Sequence, residues 1–316
     1  MESGFFYAAG KTFCYPCRTF HMFKKLCLLI WVLIGCVYNV EAQITKEFIV
    51  KETEGFNLVK FDFSSYKGNS LIRKNTFGQP IRVHAHLATV NILPTFSHTI
   101  AGGVLNAHIE HQNTASESLG KSLSYRLITG SNESYDHDWF IDLNSSFLYD
   151  LNFDFGLGKA SFDLSYLPIS KCKIKTASAD VALDYSGRFL NVAPMDTMMV
   201  VIKMGSLDAQ RINYSNAKHM LFDVHYGSVN LSFEENVPGG STVSTMVGAG
   251  SVNISLPSTH LPYIVKVKST AMCRTSVPKH LREIDNKVYV SKGYKKNAED
   301  LMTFLIDISV GAVSLK

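Results

Sequence analysis

In residues 222–233, FDVHYGSVNLSF, apolar or aromatic side chains stand at Phe222, Val224 and Tyr226, and then at Val229, Leu231 and Phe233. Alternation with period two predicts a strand with one buried face. The change from even to odd positions at Gly227–Ser228 would turn the buried side chains outward unless the backbone turns or bulges there. Glycine tolerates the positive φ that such a corner often needs. The pattern therefore predicts two short strands that meet at a corner.

The same grammar recurs in LNFDFGLGKASFDL (151–164), VIKMGSLDA (201–209), VGAGSVNISL (247–256) and IDISVGAVSL (306–315). After Gly205, Gly227, Gly250 and Gly311 the text is nearly constant: GSLDA, GSVNL, GSVNI, GAVSL. Aligned on Gly158, Ala179, Gly205, Gly227 and Gly250, the intervals are 21, 26, 22 and 23 residues, with KIKTASADVALDY (173–185) as the weakest member. A period of this length with only β patterns inside it predicts a β-solenoid, each coil stacked on the last. A single coil cannot bury its own apolar face, and each inward Val, Leu or Phe contributes on the order of 1.5–3 kcal/mol through that stacking.

The fold class expected is thus all-β, with a solenoid over residues 149–316. The interval from Gly250 to Gly311 holds one further β-rich rung, YIVKVKSTAMCRTSVP (263–278), then a polar excursion over 279–300 expected to be a surface loop. Residues 43–148 alternate too, in FNLVKFDFSSY, PIRVHAHLATVNIL, VLNAHIEH and DWFIDLNSSFLYDL, separated by turns such as YKGNS and AGG. They predict antiparallel β structure, as a small separate sheet or as a cap on the first coil; solenoids need capped ends to avoid edge-to-edge stacking.

The start of the chain has a different composition. From Met22, two lysines precede an apolar run from Leu26 to Val37, and Val40-Glu41-Ala42 has the short residues a signal peptidase reads. The run falls short of the roughly 20 apolar residues that span a bilayer, so residues 1–42 are expected to be an upstream extension plus a signal peptide cleaved between Ala42 and Gln43. Leu33-Ile34-Gly35-Cys36 is similar to a bacterial lipoprotein box, which leaves lipidation of Cys36 as an alternative, although Val37 and Tyr38 are apolar where such a mature tail is usually polar. Cys14 and Cys17 form a CxxC pair with no second pair to complete a zinc or redox site. Beyond residue 42 only Cys172 and Cys273 remain, which either pair in an oxidising compartment or stay as free thiols.

The whole chain carries 31 Lys and Arg against 27 Asp and Glu; without the four bases and two acids of residues 1–42 the net charge is +2. No basic stripe tracks a phosphate backbone, which argues against a nucleic-acid partner. The membrane enters only through the signal peptide or a lipid anchor.

Candidate chemistry is sparse. His84 and His86 share one face of a strand, where a metal could be chelated, but no carboxylate or cysteine stands at matching spacing, so half-exposed strand residues are expected. His108 and His111 in HIEH lack zinc-protease spacing and point to opposite strand faces. Asp136, His137 and Asp138 in YDHDW predict a solvated turn, since no calcium-loop motif accompanies them. No nucleophile elbow, P-loop, dinucleotide fingerprint or acid/base pair is present, so neither catalysis nor a cofactor is expected. The sequons at Asn132, Asn144, Asn213, Asn230 and Asn253 read as coincidental. Asn230 and Asn253 belong instead to an outward polar row with Asp208 and Ser314, one residue per rung.

LNFDFGLGKASFDLSYLP, the repeated GS-φ-x-φ rungs, LPSTHLPYIVKV and the terminal IDISVGAVSLK resemble the toast-rack β-solenoid domains of bacterial envelope proteins, among them LiaF-like C-terminal domains and an auto-transporter adhesin group. The resemblance spans about residues 150–316 and rests on structural glycines and apolar positions, so it implies fold more than function. It implies an exported, non-enzymatic envelope protein, at the cell surface or in the periplasm, that adheres to or binds a surface polymer or an envelope protein. A periplasmic scaffold or stress sensor is one alternative. A carbohydrate-processing solenoid, which would need carboxylates paired about 5–9.5 Å apart, is another.

Overall fold

The computed structural model describes residues 44–88, 93–112, 137–234 and 240–316. The segment expected to be a signal peptide, with Cys36, Ala42 and Gln43, lies outside them, as do Asn132 and Asp136. The described residues belong to the second of two units, Gln43–Lys316. They form sixteen strands and one 3₁₀ turn, Ile212–Ser215, with no α-helix among them, and the strands join in one large mixed sheet.

Seven long strands make its centre: β2 (Leu58–Asn75), β7 (Leu148–Asp163), β8 (Ile169–Asp184), β9 (Met195–Gln210), β10 (Ala217–Ser232), β11 (Thr242–Ser255) and β16 (Met302–Leu315). Each pairs parallel with the next, and the register places Gly68 beside Gly158, Gly158 beside Ala179, and Gly205, Gly227, Gly250 and Gly311 in one line. The six corner glycines, from Gly68 to Gly311, have φ between +135° and +150°. A Cβ on Gly227 would also lie 1.7 Å from the carbonyl oxygen of Gly205, and one on Gly250 would lie 1.6 Å from that of Gly227. Conformation and close approach both exclude a side chain.

Ala179 departs from the line. It does not adopt positive φ, and the β8–β9 ladder skips from Ser178–Met204 to Val181–Leu207. In the gap the Asp180 carboxylate accepts from the Ser206 backbone N–H at 3.0 Å and from its hydroxyl at 2.8 Å. A side-chain acceptor thus serves a donor that the ladder leaves over.

The burial phase changes at the corners. In β10, Met220, Phe222 and Val224 are buried before the corner, and Val229 and Leu231 after it. Tyr226 does not continue the inward series as its sequence position suggests; it is 62% exposed, because the turn takes up His225–Ser228 and the ladder omits His225. Between the two halves of each bent strand lies an apolar interior. Phe153 and Phe155 stack at 5.9 Å, and Phe162, from beyond the corner, meets Phe153 edge-on at 5.1 Å.

Both ends of the stack are covered half by half. At the first, β5 (Val104–His111) pairs with the first half of β2, and β6 (His137–Asn144) pairs with its second half; β3 (Ile81–Leu87) and β1 (Ile44–Ile49) continue antiparallel from β6, and β4 (Thr95–Ala101) from β5. Within β6, His137 and Asp138 are strand residues and not a solvated turn. His137 is buried, its Nε2 lying 3.0 Å from the Tyr66 hydroxyl, and Asp138 accepts from the Asn69 amide at 3.0 Å. The Tyr149 hydroxyl ties this end to β7 by donating to the Pro80 carbonyl at 2.7 Å and accepting from the Asn144 N–H at 3.0 Å.

At the other end the order along the sheet differs from the order along the chain. The terminal strand β16 inserts between β11 and β12 (Tyr263–Ser269), so residues 263–276 form the layer beyond it, with β12 on one half of β16 and β13 (Cys273–Ser276) on the other. Gly311 accounts for the inversion: it can stack on Gly250, whereas residues 263–276 contain no glycine and break between β12 and β13. The polar stretch 279–300 is not wholly loop, since β14 (Arg282–Asp285) and β15 (Val288–Val290) pair antiparallel and extend the sheet from β12.

Val229 is fully buried, and Asn230 beside it points outward. Val229→Asp should therefore abolish cooperative folding, because an unpaired carboxylate cannot be accommodated in the interior. Asn230→Asp should cost less than about 1 kcal/mol. Thermal melts followed by circular dichroism compare the two; equal stability would overturn the register.

Candidate functional site

After each corner the outward side chains fall into rows set by the register. Asp208 pairs with Asn230, Asn230 with Asn253, and Asn253 with Ser314, and β13 adds Ser276 beside Ser314. Neighbouring rungs of a sheet stand about 4.7–4.9 Å apart, so the row offers one polar side chain at each such step. Asn253 donates its amide to Asn230 Oδ1 at 2.8 Å, which orients both groups, and Gln210 donates to Asp208 Oδ1. A second row nearer the corner holds Ser206, Ser228 and Ser251 in register. The result is a face of short hydroxyl, amide and carboxylate groups without bulky side chains between them.

These groups can donate and accept hydrogen bonds at regular intervals. Their even spacing suits a repeating polar ligand. Neither Asn230 nor Asn253 protrudes; both are half-buried in paired strands. Asn213 is buried, accepting from the Glu234 N–H at 2.9 Å, and Asn144 is buried in contact with Phe77.

The carboxylates that approach one another are already engaged. Asp163 and Asp184 are in register on β7 and β8. Burial pushes the Asp163 carboxyl up, but hydrogen bonds from the side chains and backbone N–H groups of Ser165 and Ser186 outweigh it and hold the group below the usual carboxylate range. Such a group is an acceptor and not a proton donor at neutral pH. Asp184 is ion-paired with Arg211. Both carboxylates are thus engaged by neighbouring donors.

The rings of His111 and His137 lie 5.3 Å apart, whereas the other candidate histidines have separate partners. His84 lies 3.5 Å from Glu47, His86 packs on Phe140, and His108 is exposed beside Glu110 while His111 is buried on the opposite face. Among the described residues no three His, Cys, Asp or Glu side chains gather as a metal site would require. Cys172 and Cys273 are free thiols.

No family model matches the chain, and no curated protein matches its sequence. Two solved structures show a weak likeness. One is a "putative cell adhesion protein" from Clostridium sporogenes, 14% identical, covering 87% of this chain and 99% of that one with a TM-score of 0.44. The other is a "putative adhesin" from Bacteroides fragilis, 13% identical, covering 87% and 98% with a TM-score of 0.36. Likeness at this level transfers no role.

Two measurements test the site's local chemistry. Asp163 has a lower pKa folded than unfolded, so the stability it contributes is present above its unfolded value near 4 and is lost as the pH falls through the folded value. Asp163→Asn should lower the melting temperature at pH 7, and the gap should close as melts are taken down to pH 3; a gap independent of pH would contradict the assignment. Burial pushes the Cys172 thiol up to about 12, with the Asp150 charge adding to the shift, whereas Cys273 is only half-buried. Iodoacetamide under native conditions should therefore modify the Cys273 peptide and spare that of Cys172 until the protein is denatured, as peptide mass spectrometry will show.

Proposed function

We propose that the chain is an exported, non-enzymatic β-solenoid of the toast-rack kind, with an adhesive role at the bacterial surface. In this proposal residues 149–316 form the solenoid together with β2, the other strands of residues 43–148 cap its first end, and residues 1–42 direct export. The row Asp208, Asn230, Asn253 and Ser314 is the binding face, and its partner is an extended surface polymer or an envelope protein that presents polar groups at repeating intervals. The in-register placement of these four residues on a face free of bulky side chains carries the proposal. The corner glycines support it by fixing the row's straightness, since each rung is held to the last at the same residue.

Protease applied to intact cells carrying the native protein should cleave it, and mass spectrometry should find Gln43 as the mature N-terminus. Protection until lysis would replace the adhesive role with that of a periplasmic scaffold or sensor, and a lipidated Cys36 would replace the free N-terminus. Asn230→Ala together with Asn253→Ala should keep the melting temperature within a few degrees and release the protein from isolated envelopes. Undiminished retention would remove the row from the binding face.

A further inference from the structure

The loops that close successive coils carry a second candidate surface, on the side opposite the corners. Residues 164–168 join β7 to β8 and residues 185–194 join β8 to β9. These two short loops hold four of the exposed large hydrophobic residues: Tyr166, Phe189, Leu190 and Val192. Tyr166 and Phe189 form a tilted ring pair, centroids 5.0 Å apart and planes 36° apart, yet they remain 46% and 55% exposed. Tyr166 sits at φ +63°, a conformation that glycine or asparagine occupies at lower cost than a bulky aromatic residue. The ring also lies against Gly187 of the neighbouring loop, whose carbonyl its hydroxyl reaches at 3.5 Å.

The surroundings of the rings are polar and of both signs. Lys74 Nζ lies 4.7 Å from the centre of the Tyr166 ring. Next to Phe189, Arg188 pairs with Glu234 at 3.1 Å and lines an open groove of about 570 Å³. The Tyr214 hydroxyl reaches Glu234 at 3.4 Å in that groove, where Ser258, Thr259 and His280 add further polar groups. The volume falls in the range of small-ligand sites. Flat apolar rings bordered at once by donors and acceptors match one ligand chemistry closely. A pyranose whose substituents are equatorial presents C–H groups on its two faces and hydroxyls around its rim. A protein partner would be met instead by an apolar centre from which charges are depleted.

We propose that Tyr166 and Phe189 form a sugar-stacking platform, continued by the Arg188–Glu234 groove, for an oligosaccharide of equatorially substituted pyranoses. This surface is separate from the Asp208–Ser314 row and does not depend on it.

The full chain is titrated with chitohexaose and with cellohexaose, binding being followed by calorimetry and by saturation-transfer NMR on the sugar protons. Saturable binding of either sugar is expected. Tyr166→Ala and Phe189→Ala should each weaken it about tenfold with unchanged melting temperature, as loss of an aromatic contact implies. Phe189→Trp should keep the affinity and show a blue shift of indole emission as the sugar saturates. Tyr226→Ala, which removes an exposed aromatic residue at the corners, and the Asn230→Ala/Asn253→Ala pair should bind as the wild type does, so that failure of the row leaves this proposal standing and the reverse. The proposal is overturned by the absence of saturable binding at millimolar sugar, or by wild-type affinity in Phe189→Ala. It is also overturned if sedimentation shows the wild type to be a dimer and Phe189→Ala a monomer, which would assign the rings to contact between copies.

Discussion

The contact on which the rest of the structure depends is backbone against backbone at the corner, where the carbonyl of one glycine faces the Cα of the glycine on the next strand. The space a Cβ would need is already filled by that carbonyl oxygen, 1.7 Å away at Gly227 and at Gly311. Strands that bend at the same residue can keep their hydrogen bonds on both sides of the bend. Strands that bend at different residues could pair on one side only, and the other half would expose unpaired donors and acceptors. The glycine line is therefore a register lock as well as a turn. Its one irregular member shows the cost of leaving it: at Ala179 the ladder lapses, and a carboxylate from Asp180 takes over for Ser206.

Once the register is locked, every outward position becomes a row, whatever residue occupies it. On the first half of the sheet this brings Asp150 beside Lys171 and Asp154 beside Lys175, opposite charges that support neighbouring strands. On the second half it brings Asp208, Asn230, Asn253 and Ser314 together without any contact between them being required by the fold. The same constraint explains the ends. A bent strand presents two edges in different directions, so one straight strand cannot cover it. β5 and β6 share the task at β2, and β12 and β13 at β16.

What was legible in the sequence is what repeats. The change of phase around Gly227 stands in the text as alternating side chains, and burial changes phase at the same place because period two and one buried face are local properties. What does not repeat was not legible. Gly68, in YKGNS, reads as an ordinary turn between short segments, and only its pairing with Gly158 reveals it as a corner. Tyr226 fits the inward parity yet faces out, because the pattern cannot tell where within four residues the bend falls. The insertion of β16 between β11 and β12 depends on which strand brings the glycine, a competition between segments that no single segment records. His137 was misplaced for a related reason: its burial comes from Tyr66 and His111, distant in sequence.

The candidate sites differ in the same way. The Asp208–Ser314 row could be read from the chain because the solenoid period projects it directly onto the surface. The Tyr166–Phe189 pair could not, since the two residues lie in loops of unequal length and composition, and nothing in LSYLP or YSGRFLNVAP signals that they meet. This division follows from the architecture. The stacked strands admit few residue types, because each side chain must suit the rung above and the rung below. The closing loops are free of that requirement, so they are where an aromatic residue in a left-handed turn can be held at the surface. A scaffold built this way supplies regular polar rows as a consequence of folding.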